Sequence, residues 1–185
     1  MSGDGVAIDL VKEAMGNLTQ RLTGAKNGSA GLEKVAKKAM NQAIALKADG
    51  LVPGLRRVEQ RCGNLDNAIQ PLIKAAVDNL ALCLEAVEKP TFGGMIGEIE
   101  ATKTRINDLK SNVEGAPSEV KRAENDILGL IGDRRAAQTL GREMFGLLRL
   151  VKKNLEEAQQ IANAASELCD KAVAQINDIG SGSVK

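Results

Sequence analysis

A heptad that holds its phase for about sixty residues constrains this chain more than any other feature. It runs Val120, Ala123, Ile127, Leu130, Arg134, Ala137, Gly141, Met144, Leu148, Val151, Leu155, Ala158, Ala162, Ala165, Cys169, Ala172, Ile176, Ile179. Steps of three and four alternate without a slip, so these side chains form one stripe on a helix and need a facing helix to cover them. The expected fold is therefore all-α: an elongated antiparallel helical bundle of four to six helices with coiled-coil-like packing.

Periodicity and breakers divide the chain into five helical segments. The first covers about 4 to 23, with Ile8, Val11, Met15, Leu18 and Leu22 on one face, and stops in Gly24-Ala-Lys-Asn-Gly28. Ser29 caps a second, carrying Leu32, Val35, Ala39, Ala43 and Leu46 as far as Gly50. The third covers 53 to 89 with Leu55, Val58, Cys62, Leu65, Ile69, Leu72, Ala76, Leu80, Cys83 and Val87, and Pro71 should bend or divide it. A fourth covers about 95 to 114, and Gly115-Ala-Pro117-Ser118 closes it and opens the long helix. Unbroken from 118 to 178, that last helix would reach on the order of 90 Å at about 1.5 Å per residue. Gly129 or Gly132-Asp133 is the place for a break, with Asp133 as a cap, although the heptad phase passes through unchanged.

A sequence of 185 residues fits a single domain, with a subdivision into 1–90 and 95–179 as the variant and 180–185 as a flexible tail. Leu82-Cys-Leu-Glu-Ala-Val and Leu168-Cys-Asp-Lys-Ala-Val echo one another, as a duplicated helical hairpin or chance in an alanine-rich chain would produce.

Missing residue types narrow the chemistry. There is no His, Trp or Tyr, and Phe92 and Phe145 are the two aromatics. Without His, the common triads, His-zinc sites and carboxylate-histidine iron sites drop out. No cofactor or metal is expected, and the chain reads as a non-enzyme. Base stacking and an aromatic membrane belt lack their rings, and a net charge of +1 offers little to bare nucleic acid. Residues 1–61 carry ten basic and six acidic side chains, 62–118 five and eight, and 119–185 ten of each. That imbalance reads as charge packing between neighbouring helices.

No apolar run approaches the roughly 18 residues that span a membrane, and the sequence shows no signal peptide. Cys62, Cys83 and Cys169 sit among apolar residues, and an odd count without CxxC spacing fits reduced thiols and a cytoplasmic location. A Cys83 to Cys169 bridge stays open should those helices be neighbours.

Two candidate surfaces follow. Between 137 and 155 apolar residues exceed one stripe, so Leu140, Met144, Phe145, Leu147 and Leu150 are either central core or a partner-binding face. Lys34, Lys37, Lys38, Arg56, Arg57 and Arg61 form a candidate basic patch, though solvated faces commonly look like this. Arg134 on the heptad line should snorkel to solvent, and the alanine-rich 158–174 should pack tightly against a neighbour. The expectation is a protein-binding scaffold, adaptor or secretion-linked module, acting on a protein partner or by self-association, with no specific nucleic acid. The alternative is a membrane-active amphipathic bundle, a lipid binder or toxin component.

Overall fold

In the computed structural model, which describes residues 6–132 and 135–181, the chain forms four long helices: α1 (Val6–Ala45), α2 (Val52–Val87), α3 (Phe92–Ile131) and α4 (Arg135–Gly180). A short 3₁₀ turn, Asp49–Leu51, precedes α2. The fold is all-α, with no strand among the described residues. No helix there is long and apolar enough to cross a membrane.

Each helix owes its length to one uninterrupted heptad. On α1 the buried line is Ile8, Val11, Met15, Leu18, Leu22, Ala25, Ser29, Leu32, Ala36, Ala39 and Ala43, so the two segments expected at 4–23 and 29–50 are one helix. Gly24 and Gly28 do not stop it because they meet α4 at close range. A Cβ on Gly24 would stand 2.8 Å from Asn154 Oδ1, and one on Gly28 would stand 2.8 Å from Val151 Cγ2. Close packing outweighs the roughly 1 kcal/mol of helix propensity that each glycine forfeits. Ser29 is accordingly no cap. It is buried and donates its hydroxyl hydrogen to the Cys62 carbonyl at 3.2 Å.

α2 keeps its helical course through Pro71, and α3 through Pro117, so the interruption expected at 115–118 is absent. Both rings lie exposed, where the hydrogen bond each proline removes is lost on the solvent side. Inside, α3 buries Ile99, Thr102, Ile106, Leu109, Val113, Ala116, Val120, Ala123 and Ile127. The long heptad divides instead at Gly132, whose φ of +38° suits a residue without a Cβ. Asp133 and Arg134, expected as a cap and a snorkelling charge, lie outside the described residues, as do 182–185 of the expected tail.

On α2 the core line ends in Asn79, Cys83 and Ala86 rather than through Leu80 and Val87, and Val87 is 43% exposed. That line, Leu55 to Ala86, recurs on α4 from Gly141 to Ala172, every buried position 86 residues on, as in Cys83 and Cys169. The echoed Leu-Cys-x-x-Ala-Val segments therefore hold equivalent core places.

The helices contribute to two compact units. The first comprises 1–21, 72–114 and 157–185, the second 22–71 and 115–156. Each draws a stretch from all four helices and buries its own heptad residues. Charge is sorted between them. The first unit carries nine basic and fourteen acidic side chains, net −5, and the second carries sixteen and ten, net +6.

Candidate functional site: an apolar groove in the second unit

The α1 terminus makes one wall of a groove. Gly-free in sequence, it ends with Lys47 at φ 54°, while Lys47 N–H bonds the Ile44 carbonyl at 3.1 Å and Ala48 N–H bonds the Ala43 carbonyl at 2.8 Å. This is a Schellman cap with a lysine in the left-handed position. It turns the chain sharply and leaves Leu46 79% and Ile44 54% exposed. Ala39, Ala43 and Leu46 from this wall face Leu51 and Leu55 of the following turn and α2. The end of α3 (Ile127, Leu130, Ile131) and the start of α4 (Leu140, Gly141, Met144) complete a cavity of about 300 Å³.

Small residues open the cavity, and large ones wedge its walls. Alanines at 39, 43 and 48 are among the lining residues and take up little of its volume. Leu130 packs onto Gly54, where a Cβ would approach within 2.8 Å, and Ile131 packs onto Gly141, where a Cβ would overlap it. Apart from Gln42 and the peptide groups, everything the cavity presents is apolar.

The five residues expected as one interaction face do not stay together. Met144 is 1% exposed and belongs to the core. Leu140 is half-buried and shares the groove with Met144. Leu147 leans on Gly31, and Phe145 sits in a separate depression with Leu128, Leu148 and Lys152. Leu150, 47% exposed, lines neither. The helix is widened because different stretches of its circumference meet different neighbours.

Half of the basic set is spent on neighbouring acids. Lys37 pairs with Glu33 and with Glu59, the latter at 3.6 Å, and Glu33 holds its ammonium pKa above the usual lysine value. Arg61 Nε donates to Asp126 Oδ2 at 2.9 Å, and Arg57 stands 3.7 Å from the same carboxylate. Lys34, Lys38 and Arg56 remain exposed.

The thiols offer no nucleophile. Cys62, Cys83 and Cys169 are free and buried, and burial pushes them to about 12, 11 and 12 respectively. At neutral pH they are protonated and inert. The Cys83–Cys169 bridge left open by the sequence is absent, both thiols being free. Among the described residues no group of three or more cysteine and carboxylate side chains is placed to hold a metal.

The first unit has an apolar cavity of its own, about 280 Å³, between Ile8, Ala86, Val87, Phe92, Met95, Ile99, Ala172, Ile176 and Ile179. Phe92 there is 49% exposed. Sequence periodicity did not find either cavity, since each forms where helix ends converge. The available signal was apolar residues abutting breakers, as in Leu46 to Leu51 and Val87 to Phe92.

No known family model matches this sequence, and no characterised protein or solved structure is significantly similar to it.

Proposed function

We propose that this chain is a non-enzymatic helical bundle that works by binding protein, and that the groove of the second unit is where it does so. The observation that carries this reading is an apolar cavity whose rim includes a leucine 79% exposed. An isolated exposed leucine is ordinary, but one beside an unfilled apolar cavity is what an incoming side chain would cover. An apolar cavity of about 150 Å³ holds a benzene. Room of about 300 Å³ thus suits roughly two aliphatic side chains, such as those one turn apart on an amphipathic helix.

An antiparallel, coiled-coil-like packing of the helices within each unit belongs to the same proposal. On α1 and α2, Lys26 meets Asp66, Ser29 meets Cys62 and Lys37 meets Glu59, so rising numbers on one helix face falling numbers on the other. Lys103 with Asp170 and Ser166 with Asn107 support the same sense for α3 and α4.

The test is a selection of displayed random peptides on the wild-type chain, counter-selected on Leu46→Glu. Enriched peptides with apolar residues at i, i+3 or i+4 and i+7 that bind wild type alone are expected. Peptides that bind both proteins equally, or no enrichment, would overturn the reading. Flotation with phosphatidylcholine–phosphatidylglycerol vesicles addresses the membrane-active alternative, which requires the chain to rise with the lipid.

A further inference from the structure

We infer that the partner that fits this groove is a second copy of this chain, whose acidic first-unit cavity face docks on the basic second-unit groove. The inference rests on the groove being a protein-binding site and adds what binds there.

Charge complementarity carries it. The exposed charged residues next in sequence to the groove's lining are Lys38, Lys47, Arg56 and Arg142, against Asp49 and Glu143, while Asp126 beside Ile127 is half-buried and already held by Arg61 and Arg57. Around the first-unit cavity the corresponding exposed residues are Asp9, Glu85, Glu88, Glu100 and Asp178, against Lys171. Of these twelve side chains Asp9 pairs with Lys12, and the other eleven make no ion pair with another described residue. The signs match those of the units as wholes, +6 for the second and −5 for the first.

The apolar surfaces match as well. The groove has unfilled volume beside alanines, and the first-unit cavity face has Phe92 and Val87 exposed at 49% and 43%. An apolar centre ringed by opposite charges is the ordinary anatomy of a specific interface, in which the ring sets orientation and rate and the centre supplies affinity. Because two different faces meet, the contact is heterologous, and successive copies add head to tail. Two small cavities imply a weak contact that salt screens readily.

Light scattering coupled to size-exclusion chromatography tests this with two variants, both altered at exposed positions. Leu46→Glu with Lys47→Glu removes the groove face, and Glu85→Lys with Glu88→Lys removes the acidic face. The wild-type mass should climb above 19.5 kDa with concentration at low salt and return to it in about 0.5 M NaCl. Each variant alone should stay at 19.5 kDa, and the two mixed should form a species of twice that mass, since each retains the face the other lost. A wild type that stays monomeric, variants that still associate, or a mixture that gains no mass would each overturn the inference. The peptide selection is independent of this outcome: groove-dependent peptides without self-association would leave the protein-binding proposal standing and remove the second copy as its partner.

Discussion

Asn79 takes the core place that hydrophobicity alone would give to Leu80. It is 1% exposed, and neither atom of its amide finds a hydrogen bond among the described residues. Ser29 and Thr102 also stand on heptad lines, but their hydroxyls reach the Cys62 and Glu98 carbonyls. An unsatisfied buried amide costs about 1–3 kcal/mol. Asn79→Leu should therefore raise the unfolding free energy by about 1–2 kcal/mol in a urea titration, and a drop in stability would mean that the amide has a partner. The thiols give a pH prediction. All three have pKa values raised from 9.0 to about 11 or 12, so the unfolded chain releases its thiol protons first. Their contribution is fully present below about pH 8 and is lost as pH climbs through 9 toward 12. Urea midpoints should fall more steeply between about pH 8 and pH 10.5 for wild type than for a chain with all three changed to alanine. Parallel curves would sink this account.

For the elements, glycine has two opposite meanings that sequence cannot separate. Gly16 and Gly63 lie in helices with nothing within 4 Å of a Cβ, whereas a Cβ on Gly141 would collide with Ile131. Gly16→Ala and Gly63→Ala should each stabilise by about 0.5–1 kcal/mol through helix propensity. Gly141→Ala should destabilise by about 1–3 kcal/mol through overpacking. Thermal or urea unfolding of the three variants checks both signs, and a stabilising Gly141→Ala would show that Ile131 gives way freely. The same ambiguity explains why Gly24 to Gly28 and Gly115 to Pro117 read as helix ends and proved interior. Gly132 is a true stop, because its backbone is left-handed.

For the whole molecule, the near-neutral net charge of +1 conceals two units of −5 and +6. Counted along the chain, the imbalance is small; folding gathers it, because each unit collects distant stretches. At neutral pH and low ionic strength the protein should bind both a cation-exchange and an anion-exchange resin and leave both as salt rises. Passage through either resin without retention would contradict segregated charge.

The sequence by itself determined that the chain is helical and which faces are buried. Alternation of three and four residues is a local property, and most of the buried line, from Ile8 to Leu22 and from Gly141 to Ile176, is read directly from it. Tertiary structure alone decided that α1 and α3 run on through residues 24–28 and 115–117, whether Leu80 or Asn79 turns inward, and where Leu46 and Met144 come to share a groove. Those outcomes depend on side chains 33 to more than 100 residues apart in sequence, as between Ser29 and Cys62 or Gly24 and Asn154. A break in a helix is a competition between local propensity and the packing that opposes it, and only the neighbour's position shows which is larger.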